Sequence, residues 1–419
     1  MDPESAIRHV HGPEEVMYGL DELVVVCLVR DGRPYLKSFV EHYFSLGVKH
    51  VVFLDNGSSD GTISAVRSYE NVTVLQTELP FKEYKIPLRQ YLVTRFGRGR
   101  WILYVDIDEL FDYPYSGVVG LSSLLGYLTE KSYTAVVGQM LDMFPEESVL
   151  DAAAGQDEPL KEFHKFYDIS NITTENYHPA GSASNTVASD EIEVYRDGIN
   201  RTLFGHNNLL TKHPLIFIDD EISPMENSSV HWVGGARVAD ITCVLFHYKF
   251  IGSFHERAVR AVEEESYASN SRKYKRYLET LERTPELQLK RETAQELKDV
   301  TDLVDNQFLV VSGDYIARVE AEEKKSGAAE ALKGSGSRRL VESFCAASAR
   351  ARTQARVARN LERQVEMLED SLVQERRRIE LLERRNQNLE RQIRNIQGSR
   401  SWRLLGKLAR IRNRMPGKG

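Results

Sequence analysis

Residues 23–29 read LVVVCLV, an unbroken apolar, β-branched run of the kind a strand shows when both its faces are buried. Residues 34–46 switch to helical spacing. Leu36, Phe39, Val40, Tyr43 and Phe44 share one side, and Gly47 supplies a stop. The alternation then repeats. A strand is predicted over 50–54, ending at Asp55-Asn56-Gly57, then a short helix over 62–69 and a strand over 72–75. A helix over 88–96 and a fourth strand over 101–105 follow. Strands alternating with helices predict an α/β fold with a mainly parallel sheet. Such sheets bind ligands beyond the carboxyl ends of their strands. Asp55 to Ser58 and Asp106 to Asp108 would sit on that edge.

Further along, 134–144 (TAVVGQMLDMF) predicts another strand, and strand-like pieces return at 215–218 and 241–246. Residues 151–193 are polar and irregular, which predicts loops and a mobile flap. From 253 to 328 the pattern is helical and charged. Gly334-Ser335-Gly336-Ser337 is a flexible break. Beyond it, Leu361, Val365, Leu368, Leu372, Ile379, Leu382, Leu389, Ile393 and Ile396 follow heptad steps, with Glu375 and Asn386 at two skipped stations. One Asn at an a position selects a parallel two-stranded coiled coil, so a homodimer is expected. In the last segment Leu404, Leu408, Ile411 and Met415 line one helical face, while Arg403, Lys407, Arg410 and Arg414 line its neighbour. That pattern suits a helix lying on an anionic membrane surface. The expected organisation is an extension over 1–20, a catalytic domain over 21–255, a helical region over 256–330, a linker over 331–350, a coiled coil over 351–398 and a basic tail over 399–419.

The 419 residues allow one large domain plus an appendage. Charge is unevenly distributed. Of 55 Lys and Arg and 62 Asp and Glu, the segment 331–419 holds 22 and 9, leaving an acidic body with a basic tail. The body lacks the interleaving of basic and aromatic residues that nucleic-acid binding needs, so no nucleic-acid partner is expected. Three widely separated cysteines imply no disulfide framework and a reducing compartment. With neither an apolar signal core nor a membrane-length apolar run, the expected location is the cytoplasm, peripheral to the inner face of a membrane.

The stretch WILYVDIDEL, 101–110, ends an apolar strand in Asp106, Asp108 and Glu109. On a strand, residues two apart project to the same side, so Asp106 and Asp108 would face each other. Like charges that close favour protonating one of them, unless a divalent cation sits between them. Mg²⁺ is commonly held by one or two carboxylates plus substrate phosphates. A metal–diphosphate site is therefore expected, with Asp106 and Asp108 as ligands.

The stretches LVVVCLVRDGRPYLKSFVEHYFSLGVKHVVFLDNGSSDGT and GRGRWILYVDIDELF resemble family 2 glycosyltransferases of the GT-A nucleotide-sugar fold. The similarity runs from Leu23 to Phe254, with LDMFP, LLTKHPL and LFHYKF as later marks. Where relatives place an Asn-Glu pair after the first strand, this chain has Arg30-Asp31. The resemblance implies that Val29, Arg30 and Asp55 hold the nucleoside and that Asp106 and Asp108 carry Mn²⁺ or Mg²⁺. It implies a late metal-site histidine, for which His247 is the first choice and His231 the second. Lys212 and Arg89 are candidates for the donor's diphosphate. It further implies inverting transfer from a nucleotide-sugar donor to a glycan or lipid-linked acceptor, with Asp142 as the base and Asp219, Asp220 and Glu221 as rivals. Each of these side chains also has a bland reading: His247 as a core histidine, Lys212 as a surface lysine, Asp142 as a turn residue. Two other functions fit parts of the pattern. One is a coiled-coil scaffold whose sheet domain binds a sugar nucleotide without turnover. The other is a haloacid dehalogenase-like phosphatase, with Asp219-Asp220 as its late acidic pair.

Overall fold

The computed structural model describes residues 3–151, 159–180, 184–226, 229–264 and 271–325, together with Arg391 and Asn395. The chain divides into two compact units, Met1–Lys333 and Gly334–Gly419. The linker, coiled coil and basic tail expected over 331–419 lie outside the described residues, those two positions apart.

In chain order the first half of the sheet domain contains β1 (Arg8–His11), β2 (Val24–Val29), α1 (Arg33–Ser45), β3 (His50–Asp55), α2 (Thr62–Val66), β4 (Val72–Gln76), α3 (Phe81–Gly97), β5 (Trp101–Tyr104), β6 (Glu109–Asp112), α4 (Leu121–Glu130) and β7 (Ala135–Asp142). Shorter pieces follow: α5 (Leu160–Phe163), β8 (Phe166–Tyr167), β9 (Ile172–Asn176), the kinked turn α6 (Tyr177–Ala180), β10 (Thr186–Val187), β11 (Glu193–Asp197) and α7 (Ile199–Phe204). The remainder comprises β12 (Thr211–Phe217), β13 (Ser223–Pro224), β14 (Val233–Gly234), β15 (Arg237–His247), α8 (Phe254–Glu263), α9 (Arg272–Arg283), β16 (Gln295–Glu296), α10 (Asp302–Asp305) and α11 (Gly313–Lys325).

Among the described residues the central sheet has ten strands. Nine run in the order β1-β4-β3-β2-β5-β12-β7-β15-β10, and β6 pairs with β15. The first four predicted strands are parallel neighbours, as the alternation required. Burial on both faces is visible in β2. Val25, Cys27 and Val29 join one core, packed with α1 and α4, while Val24, Val26 and Leu28 join the other, packed with α3. Three strands reverse direction. β1 is antiparallel to β4, β12 lies antiparallel between β5 and β7, and β6 is antiparallel to β15, so the sheet is mixed but mostly parallel.

Several expectations need correction. Residues 8–11 of the supposed N-terminal extension form an edge strand against β4, and the Tyr18 hydroxyl donates to the carbonyls of Phe96 and Trp101. α3 begins at Phe81 rather than at 88, with Pro87 inside it. The 151–193 stretch carries an antiparallel β9–β11 pair rather than loops alone. The 253–328 helical pattern breaks after Arg283 at Thr284-Pro285, where proline disfavours helix in the residue before it; β16 and α10 interrupt the stretch before α11.

β12 contains Pro214 although it lies in the middle of the sheet, a position proline usually avoids because it cannot donate to the ladder. The pairing register between β12 and β7 shifts between Lys212 and Leu215, which absorbs the missing donor. Gly138 on β7 makes room for the proline ring: a Cβ there would lie 2.7 Å from Pro214 Cγ. Gly138→Ala should therefore lower stability by about 1–3 kcal/mol through overpacking, read as a lower denaturation midpoint with an unchanged m-value.

Candidate functional site

The carboxyl ends of β2, β3, β5, β7 and β15 lie along one edge of the sheet, and most of the expected site residues fall there. Asp106 and Asp108 are not on a strand, as the alternation argument assumed. They occupy the turn between β5 and β6. The turn closes reciprocally: Glu109 N donates to the Asp106 carbonyl at 3.0 Å, and Asp106 N donates to Glu109 Oε2 at 3.1 Å. The two aspartates consequently have different partners.

Asp106 is held between cations. Its Oδ1 accepts from Arg89 at 2.7 Å and from the Tyr104 hydroxyl at 3.0 Å, and its Oδ2 accepts from Lys212 at 2.9 Å. Lys212 also donates to buried Glu109 at 2.5 Å. Arg89 stacks against Phe81 and Tyr104, with ring centroids 5.7 and 5.6 Å away. Burial opposes charge on Asp106, but Lys212 and Arg89 outweigh it and hold the carboxyl well below the usual range. Burial likewise opposes charge on Lys212, and Asp106 and Glu109 reverse that effect and raise it. For Glu109 burial wins and its carboxyl is pushed up.

A second group surrounds His247, the last residue of β15. Its Nδ1 lies 2.6 Å from Asp142 Oδ1, and its Nε2 lies 3.5 Å from Asp108 Oδ2. Asp142 ends β7 directly beside it, since the two residues pair in the parallel ladder. The second Asp142 oxygen accepts from Asn200 Nδ2 at 2.5 Å. The Asp142 side chain is 6% exposed and both oxygens are engaged. These two partners fix the orientation of the carboxyl group. Burial opposes protonation of His247, but Asp108 and Asp142 raise its pKa to about 9. Both aspartates are lowered despite burial, chiefly by that imidazole.

The other candidates are placed as follows. Asp55 is buried at the end of β3, where it accepts from Gly57 N, Ser58 N and the Gln76 side chain, so it shapes the Asp-Asn-Gly-Ser turn. Val29 is buried, and its carbonyl accepts from Asn56 N at 2.8 Å. Arg30 is exposed and sits 3.6 Å from Glu264. Half-buried His231 bonds through Nδ1 to the Thr211 carbonyl, 2.9 Å away. Asp219, Asp220 and Glu221 follow Phe217, which pairs with Trp101 at the start of β5. They therefore lie at the opposite edge of the sheet, and Asp219 and Glu221 are held there by Arg237. Because β12 runs antiparallel, its N-terminal end brings Lys212 to the site edge.

Tyr104, Asn200 and Tyr277, whose hydroxyl donates to Asn200 Oδ1 at 2.7 Å, also belong to this constellation, and the sequence pattern did not single them out. Tyr104 could have been found, since a tyrosine two residues before Asp106 at a strand end shares its side. Asn200 carried no signal, because it sits on a helix of six residues, too short to show a periodicity.

Among the described residues no group of three His, Cys, Asp or Glu is arranged to hold a metal. A donor pair exists nonetheless. Asp108 and His247 Nε2 face each other with 21% and 15% of their side chains exposed, and Nδ1 is tied to a carboxylate, the usual arrangement behind a metal-binding histidine. Two cis ligands on Mg²⁺ or Mn²⁺ sit roughly 3 Å apart, close to the 3.5 Å seen. Asp106 has both oxygens paired with cations in this arrangement.

Two outcomes follow. Lys212→Met should cost about 3–5 kcal/mol, because it leaves buried Glu109 and Asp106 short of a cation; adding Glu109→Gln should recover part of that loss in denaturant titrations. The second outcome concerns pH. Burial pulls His42, His50 and His213 down to about 3, 4 and 4. They stay neutral in the fold while the unfolded chain takes up protons below about pH 6.5, so stability should fall as pH drops below that point. His247 acts in the opposite sense. Its contribution is complete below about pH 6.5 and is lost as pH rises through 9. Denaturation in the presence of a chelator should show a maximum around pH 6.5, and His247→Gln should flatten the alkaline side.

No family model matches this chain, and no curated protein matches it. Among solved structures it is similar to HddC from Yersinia pseudotuberculosis, with 12% identity over 31% of this chain and 61% of that one at a TM-score of 0.20. UTP-bound UGPase from Acinetobacter baumannii is similar at 9% identity over 63% and 83% of the two chains, with a TM-score of 0.20. A UDP-glucose pyrophosphorylase complexed with UDP-glucose follows at 7% identity over 73% and 99%, with a TM-score of 0.22. The chain spans 61% of the length of HddC, and overlaps at these TM-scores carry no argument about fold or activity.

Proposed function

We propose that the sheet domain is a metal-dependent, inverting glycosyltransferase that moves a sugar from a nucleotide-sugar donor to a hydroxyl of a glycan or lipid-linked acceptor. One observation carries the reading: Asp106, Asp108, Asp142 and His247 converge with Arg89 and Lys212 at the carboxyl edge of a mostly parallel sheet. That edge is where open α/β sheets take nucleotides.

In this reading Asp108 and His247 hold Mn²⁺ or Mg²⁺, with water and the donor's diphosphate completing the shell. When bound, the cation offsets the charge that builds on the departing nucleoside diphosphate. Asp106 acts as an anchor. It fixes Arg89 and Lys212 in place, so that positive charge faces a diphosphate from the protein side without reorganisation. Asp55 and Val29 shape the turn beneath the nucleoside. The hydroxyl-activating base is not assigned to Asp142, which is engaged on both oxygens.

The phosphatase alternative needs Asp219-Asp220 beside Asp106 and Asp108, and the antiparallel course of β12 separates them. A scaffold that binds sugar nucleotide without turnover shares the same site chemistry and is distinguished by experiment. UDP-, GDP- and dTDP-sugars should be screened with Mn²⁺ for thermal stabilisation and slow donor hydrolysis. The matching donor at 100-fold over its Kd should add about 2.7 kcal/mol, and Asp108→Asn should remove the metal-dependent part. Stabilisation without any hydrolysis or transfer supports the scaffold; no response to any donor, with or without metal, sinks the reading.

A further inference from the structure

A chain of hydrogen bonds leads from the site edge into the helices that follow the sheet. His247 Nδ1 meets Asp142 Oδ1 at 2.6 Å, and Asp142 Oδ2 accepts from Asn200 Nδ2 at 2.5 Å. Asn200 Oδ1 in turn accepts from the Tyr277 hydroxyl at 2.7 Å and faces Lys249 Nζ at 3.5 Å. The members come from four elements: β15, β7, α7 and α9. Asn200 is 1% exposed and Tyr277 is fully buried.

The amide of Asn200 can adopt only one orientation. Its NH₂ must face the carboxylate, which only accepts, and its carbonyl takes the proton of the Tyr277 hydroxyl, whose oxygen already accepts from Lys249 Nζ. A flipped amide would set oxygen against the Asp142 oxygen and leave Tyr277 and Lys249 facing donors. Asn200 thus fixes the rotation of the Asp142 carboxyl, and the carboxyl fixes the plane of the imidazole. Tyr277 is itself clamped by aromatic contacts with Phe204, Phe254 and Tyr274 and lies beneath Lys249. Helices after the sheet domain thereby reach the ring that faces Asp108.

We infer that Asn200 and Tyr277 are positioning residues that, through Asp142, lock the His247 imidazole with Nδ1–H turned inward and Nε2 presented to Asp108. The lock itself stands on the hydrogen-bond geometry; its consequence for cation binding rests on the glycosyltransferase reading. Helix α9, from the helical region expected over 256–330, then belongs to the functional unit.

The test begins with chelator-treated full-length protein and the downfield imidazole region of its proton NMR spectrum. The His247 Nδ1–H resonance is identified by its absence in His247→Gln. Asn200→Ala should make that proton exchange with water at least about tenfold faster, and Tyr277→Phe, which keeps the buried ring, should do the same to a smaller degree. The relay is overturned if both folded variants keep the wild-type exchange rate. Should Asn200→Ala fail to fold, the tyrosine variant decides alone. Mn²⁺ titration followed by electron paramagnetic resonance then addresses the consequence. Loss of an outer-shell partner of this kind weakens metal affinity by about 10–100-fold, and the same weakening is expected for Asn200→Ala. If wild type binds no Mn²⁺ while its Nδ1–H is protected and Asn200→Ala exposes it, the lock stands and the metal reading fails. If Asn200→Ala binds Mn²⁺ as tightly as wild type, the link from Asn200 to cation binding falls.

Discussion

The site edge depends on how buried negative charge is paired. Four carboxylates, Asp106, Asp108, Glu109 and Asp142, end strands or turns where side chains are largely shielded from water, and each unpaired ion there would be costly. The protein places Lys212 between Asp106 and Glu109, Arg89 on the far side of Asp106, and His247 between Asp108 and Asp142. Every cation touches a carboxylate from a different part of the chain. Closing the sheet domain and assembling the site are therefore the same event.

That pairing explains the reversal of β12. A strand running parallel to its neighbours would carry its first residues to the far edge, away from Asp106. The antiparallel course brings Lys212 to the acidic turn and sends Asp219 to Glu221 away from it. β12 carries a proline in mid-sheet, and the register shift together with Gly138 on β7 accommodates it.

His247 ties the sheet to the helices behind it. Its pairing with Asp142 is set by the β7–β15 ladder, and the carboxyl in turn is oriented from α7 and α9. The described residues of 256–264 and 271–325 are thus continuous with the sheet domain in structure, in keeping with the compact unit Met1–Lys333.

Local sequence by itself determined the parallel first half of the sheet. Runs such as LVVVCLV and HVVFL have one stable use, a strand covered on both faces, and the apolar face of residues 34–46 has one natural place against it. It also put Asp106, Asp108, Asp142 and His247 at strand ends, because a polar residue closing an apolar run must leave the core. Only the tertiary structure decided which charges meet. The pairing of Asp106 with Arg89 and Lys212, of Glu109 with Lys212, and of Asp142 with Asn200 joins residues between 17 and 106 positions apart. No periodicity within a strand or helix encodes such distances. They follow from strand order and direction, and those are set by the summed packing of two cores rather than by any single segment.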